Sequence, residues 1–195
     1  TSNFRALTKE DKPVFDAFFK RRYYENSHFN FTNLYMWRKP YHIMWTVEED
    51  VLYTKAEWNG RVFAMQPYGP EERMNEAVGK LLAYFAAIQQ PFFMSGLERT
   101  MADILENYPG ADFVVQSNRD DADYVYNSAD LIHLAGRKYH SKKNHLNSFH
   151  KNYAEAEYQP ITADIVLQCK LNINAWYKQR AQDLPDDPFV ALGRE

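Results

Sequence analysis

The strongest chemical signature in this chain lies between Leu131 and Ala154. Arg137, Lys138, Lys142, Lys143 and Lys151 fall there with no acidic residue among them, a local charge of +5 in a 195-residue chain whose net charge is −3. Four of the six histidines, His133, His140, His145 and His150, share the segment and add charge at mildly acidic pH. Cations gathered without carboxylates attract a polyanionic partner. If one helix ran unbroken through Gly136, Leu131, Ala135, Tyr139, Leu146, Phe149 and Tyr153 would share a face at about 100° per residue. Arg137, His140, Asn144 and Lys151 would lie opposite as a solvated stripe. Lys142 is out of place on the apolar face, and Lys138 borders it. Such lysines either snorkel along their stems to water or meet an anion in a cleft.

Other constellations carry less. His133 and His140 are two turns, about 10 Å, apart, whereas a helical metal pair needs i, i+3 or i, i+4. His140, His145 and His150 recur at intervals of five, which spreads them around a helix. With one cysteine, Cys169, and no HExxH arrangement, no metal is expected. Cys169 sits in an apolar helical pattern with Ile165, Ile173 and Trp176, which favours a packing role. Ser95-Gly96 lacks the preceding glycine of a hydrolase nucleophile elbow. Asp120, Asp121 and Asp123 read as a charged turn rather than a cation site.

The elements that must position these residues follow from periodicity. Residues 4–7 predict a short strand, and 9–25 a helix with Thr8 as N-cap and Pro13 in its first turns. A short helix is expected over 31–37. Residues 41–47, 51–56 and 61–66 predict an antiparallel meander turned at Glu48-Glu49-Asp50 and Asn59-Gly60. After the break at Pro67-Tyr68-Gly69-Pro70 come a helix over 71–90, a buried strand over 91–96, a helix over 97–108, and strands over 113–116 and 124–126. The remainder is helical: a short helix capped by Ser128 and ended by Gly136, a longer one over 137–153, and a last one over 162–179.

The composition, 45% hydrophobic and 25% charged, is that of a globular α/β chain with ample core. No apolar run approaches the roughly 18 to 20 residues that cross a bilayer, and the first residues lack a signal-peptide core, so a cytoplasmic protein without a transmembrane segment is expected. A single cysteine suits a reducing compartment.

The element order, with a meander ahead of a long central helix, resembles the acyl-CoA N-acyltransferase, or GNAT-like, fold: a mixed, mostly antiparallel sheet flanked by helices, followed here by a helical C-terminal segment. Members that use CoA cradle its pyrophosphate on backbone N–H groups where the fourth strand meets the long helix. Here that point reads Gln66-Pro67-Tyr68-Gly69-Pro70-Glu71-Glu72. One glycine, two prolines without N–H groups and two carboxylates fit a favourable first-turn charge on a helix better than a phosphate site. No cofactor is therefore expected.

A more specific likeness rests on Asp123-Tyr124-Val125-Tyr126-Asn127-Ser128-Ala129-Asp130-Leu131-Ile132 and on the block from Gly136-Arg137-Lys138-Tyr139-His140 through Lys142-Lys143-Asn144-His145. These resemble the bacterial family related to the C-terminal domain of phosphatidylglycerol lysyltransferase, with two tandem GNAT-like domains akin to the peptidoglycan-bridge aminoacyltransferases. Trp176 and Arg180 fit its helix near the start of the second half. The resemblance implies an aminoacyltransferase that moves an amino acid from aminoacyl-tRNA to an anionic lipid such as phosphatidylglycerol or to a related acceptor. On that basis residues 1–127 form a GNAT-like domain and 128–160 basic connecting helices, while 161–195 begin a second GNAT-like domain that is incomplete. Partners would be aminoacyl-tRNA and, peripherally, an anionic lipid headgroup or membrane surface. Arg137, Lys138, His140, Lys142, Lys143, Asn144, His145 and Lys151 are the expected anion-binding residues; no catalytic residue is assigned. The alternatives are an acyl-CoA-dependent N-acyltransferase and a non-enzymatic RNA or protein interaction module.

Overall fold

The computed structural model describes residues 3–24 and 26–184; the last residue of the helix expected over 9–25 and the expected segment beyond 184 lie outside the described residues. The chain divides into two compact units between Val125 and Tyr126. The first is mixed α/β. Its sheet runs in chain order through β1 (Arg5–Ala6), β2 (Met44–Glu48), β3 (Val51–Trp58), β4 (Arg61–Met65) and β5 (Met94–Ser95). The first four are antiparallel neighbours, and β5 lies parallel to β4 after a helical crossover.

Local chemistry accounts for the meander. Glu48 pairs with Val51 and Trp58 with Arg61, leaving two-residue turns at Glu49-Asp50 and Asn59-Gly60. All four turn residues have positive φ, the geometry that matches the twist of paired strands. Asp50 is held by Arg21 at 2.8 Å, and Glu49 by Arg73 and Lys80 at 3.2 and 2.9 Å. Tyr68 forms one further antiparallel bridge with Leu52. Next to it Gly69 passes so close to the first hairpin that a Cβ would stand 2.9 Å from the Asp50 carbonyl oxygen.

Helices cover both faces. α1 (Lys12–Phe19) and α2 (Phe31–Trp37) pack over Leu52, Ala56 and Trp45, while α3 (Met74–Ala87) and α4 (Arg99–Glu106) pack over Val51, Tyr53 and Ala64. Alternate residues of β3 thus feed opposite cores, as a strand's two-residue period requires. Phe15 is fully buried, with edge-on contacts to Phe31 and Trp45 at 5.6 and 5.1 Å. Beneath it the Asp11 carboxylate accepts hydrogen bonds from Trp45 Nε1 (3.0 Å), the Thr8 amide (2.8 Å) and the Thr8 hydroxyl (3.1 Å), and pairs with Arg5. Burial pushes its pKa up, yet the Thr8 N–H, Arg5 and Trp45 outweigh that and hold it below the ordinary value.

Three expectations are corrected. The helix over 9–25 is a 3-10 turn at Lys9–Asp11 followed by α1, which stops at Phe19. Beyond it Arg21 turns to Asp50 and Tyr24 packs edge-on to Phe29 and Tyr68 at 4.8 and 5.8 Å, contacts that a continuous helix would break. The strands over 113–116 and 124–126 do not form among the described residues. Residues 111–116 do alternate between half-buried and exposed, with Phe113 and Val115 turned to the core, but no neighbouring strand pairs with them. A strand requires a ladder partner as well as a pattern.

The second unit is helical: α5 (Ser128–His133), a 3-10 turn at Arg137–Tyr139, α6 (His140–Asn152) and α7 (Ala163–Asp183).

Candidate anion-binding site

The basic segment starts at a sharp corner. Asn127, rather than Ser128, caps α5, its side chain accepting from the Ala129 amide at 2.9 Å. Leu134 then takes a left-handed conformation (φ 46°, ψ 41°) and returns its N–H to the Asp130 carbonyl, and Gly136 follows at φ 86°. The helix is therefore not continuous through Gly136. Leu131 and Ala135 leave the face on which Leu146, Phe149 and Tyr153 lie, and His133 is separated from His140 by the same break.

Asp130 fastens the corner. Its Oδ2 accepts from Lys138 Nζ and from the Tyr139 hydroxyl, both at 3.0 Å. Lys138 and then Tyr139 hold the carboxyl below its usual pKa, and Asp130 in turn raises that of Lys138. Tyr139 is the one buried apolar side chain among the described residues of this unit. Sequence reasoning missed this role for Asp130, because residues eight and nine positions apart meet only across the break at 134–136.

Beyond the corner α6 buries nothing. The expected apolar face is itself open, with Leu146, Phe149 and Tyr153 at 45%, 48% and 62% exposure. The misplaced Lys142 sits over the Tyr126 ring, 5.6 Å from its centroid. Arg137, Lys143 and Lys151, with His140, Asn144 and His145, have no side-chain partner among the described residues. The structure thus separates the expected anion-binding set into engaged cations, Lys138 and Lys142, and unengaged ones.

On α7, Arg180 lies over the Trp176 ring at 5.2 Å, one turn away. Ile165 and Cys169 are half-buried while Ile173 and Trp176 are exposed, so the packing face expected for Cys169 is only partly covered among the described residues. No three His, Cys, Asp or Glu side chains converge on a possible metal position among the described residues. The acidic turn at Arg119–Asp121 is closed by Asn118, and Asp123 accepts from the Ser27 amide and hydroxyl at 2.7 and 3.0 Å.

A polar cluster that sequence reasoning missed sits in the first unit, where β4 and β5 end. The Gln66 side chain accepts from the Glu98 amide at 2.9 Å and donates to the Glu98 carboxylate at 3.0 Å. Arg22 completes the pair with Glu98 and stacks on Tyr24 at 4.1 Å. The nearby Tyr68 hydroxyl is buried without a hydrogen-bond partner, and burial pushes its pKa well above the ordinary value. Glu98 is 32 positions from Gln66 and 76 from Arg22, so no local spacing betrays their meeting.

A crystal structure of a conserved protein of unknown function from Bacteroides thetaiotaomicron VPI-5482 is similar, with a TM-score of 0.84 and 28% sequence identity. The likeness covers 99% of this chain and 65% of that one, so the chain spans about two thirds of that relative's length. Among curated proteins none matches. No helix among the described residues is long and apolar enough to cross a membrane. The family model described as phosphatidylglycerol lysyltransferase, C-terminal, matches residues 21–191, and the chain belongs to that family.

Proposed function

We propose that this chain serves a tRNA-dependent aminoacyltransferase of the lysyltransferase type, which moves an amino acid from aminoacyl-tRNA to an anionic lipid such as phosphatidylglycerol or to a related acceptor. In that reaction the acceptor hydroxyl attacks the aminoacyl ester carbonyl, the tRNA ribose oxygen leaves, and the proton passes from the one oxygen to the other. Holding the two substrates together supplies much of the rate, and cations steady the oxyanion. The family match over 21–191 supports the reaction class, and the unengaged cations of an acid-free segment support an anionic substrate on the second unit.

A GNAT-like first unit is part of this reading, on the strength of its meander, central helix and parallel β4–β5 pair. An acyl-CoA donor is not favoured. The turn after β4 spends its one glycine on close approach to the hairpin, and Gln66 and Glu98 tie the two parallel strand ends together.

Bulk tRNA titrated at about 50 and about 200 mM salt tests the reading. Three phosphate contacts give a salt slope near −2 to −3, so affinity is expected to fall roughly 20- to 40-fold between the two conditions. No binding at the lower salt would contradict it.

A further inference from the structure

α6 presents two faces of different chemistry, and only one of them suits a polyanion. At 100° per residue His140, Lys143, Asn144, Asn147 and Lys151 fall in one arc. Lys142, Leu146 and Phe149 fall in the opposite arc, which Tyr153 continues just past the helix end. Every residue of the first arc is exposed and can donate hydrogen bonds, and none has a side-chain partner among the described residues. The second arc contains the one lysine of α6 that is already engaged, over Tyr126. No carboxylate interrupts either arc.

We infer that the His140–Lys143–Asn144–Asn147–Lys151 arc is a track for the phosphodiester backbone of RNA, and that Lys142 takes no part in it. This rests on the tRNA reading above and narrows it to one helix face, adding Asn147. From His140 to Lys151 the track rises about 16 Å. A track of that length can follow several successive phosphates of one strand. Two lysines give the long-range attraction and the asparagine amides between them donate to phosphate oxygens, a division of labour common in backbone recognition. A membrane surface is the weaker fit. An interfacial helix needs a substantial apolar face, whereas the opposite arc offers Leu146, Phe149 and Tyr153 with a lysine at its head, and amides between the cations add little on a diffuse surface.

The test is tRNA binding by fluorescence anisotropy across a salt series for the 195-residue chain and for Lys143→Ala/Lys151→Ala, Asn147→Ala and Lys142→Ala, with circular dichroism to confirm that each keeps its helix content. The double variant is expected to flatten the salt slope by about 1.4 to 1.8, one phosphate contact per lysine. Asn147→Ala should weaken binding severalfold at unchanged slope, and Lys142→Ala should alter the slope by less than about a third of the double variant's effect. A Lys142→Ala effect equal to or above that of the double variant, with wild-type binding intact, overturns the track while leaving the tRNA reading standing. Absence of wild-type binding overturns both. If the double variant loses binding to phosphatidylglycerol vesicles but keeps its tRNA affinity and slope, the arc is a membrane face and the inference fails.

Discussion

The two units use their charged and apolar residues in opposite ways. In the first, cations are matched at home: Arg5 with Asp11, Arg21 with Asp50, Arg22 with Glu98, Arg73 and Lys80 with Glu49. Every buried apolar side chain among the described residues except Tyr139 also belongs to it. Among the described residues of the second, Lys138 pairs with Asp130 to hold a corner, and the other basic residues of α6 and its lead-in are exposed, Lys142 lying over the Tyr126 ring. The buried core of the described residues therefore lies in the first unit, whereas the second leaves the basic residues of α6 exposed. A surface left uncompensated by its own chain costs little while solvated, and it is available to a partner that brings the opposite charge.

That contrast can be broken most forcefully in the core. Phe15→Ala removes a fully buried ring with three aromatic neighbours and should cost about 3 to 5 kcal/mol in urea unfolding, whereas Phe149→Ala, half exposed on α6, should cost less than about 1 kcal/mol. Equal losses would mean that the second unit carries a core of its own.

Asp11→Asn comes next. It discharges a buried carboxylate that serves Thr8, Trp45 and Arg5, and should cost about 1 to 3 kcal/mol at neutral pH. Because the folded protein holds this carboxyl below its ordinary value of 3.8, its contribution is full above that value and is lost as pH falls through the lowered one. Acid unfolding of the variant should accordingly lose part of its pH dependence below about pH 4, while a curve parallel to wild type would remove Asp11 from the account.

The smallest effect is local. Asp130→Asn should leave the first unit's unfolding midpoint unchanged and speed amide exchange between 128 and 139. Acidification of the wild type should do the same as pH falls below the ordinary carboxylate range, since Lys138 and Tyr139 keep Asp130 ionised down to a lowered value. Unaltered exchange would show that the left-handed Leu134 and Gly136 alone set the corner.

What the sequence discloses follows the range of each interaction. The meander was legible because a two-residue period and Asn59-Gly60 are local signals, and α2 because Pro40 marks its end. The mixed sheet and the family were legible for the same reason, as order and motif. The early end of α1 was not, since it depends on Arg21 finding Asp50 across 29 residues, and neither was the Gln66–Glu98–Arg22 cluster. The strand-like pattern at 113–116 misled because alternation shows which side chains turn inward and not whether a partner strand is present. On the second unit the absence of acids was plain, but the division of the cations was not. It took the break at Leu134–Gly136 to place Asp130 against Lys138 and to free α6 to turn two distinct faces outward.

On the proposed reading α6 of the second unit meets an RNA backbone and the meander of the first unit does not. Hydrogen exchange of the chain with and without bulk tRNA at low salt tests this most directly. Added protection is expected between 137 and 153, with amides of β2, β3 and β4 unchanged. Protection confined to the first unit, with 137–153 unaffected, would contradict it.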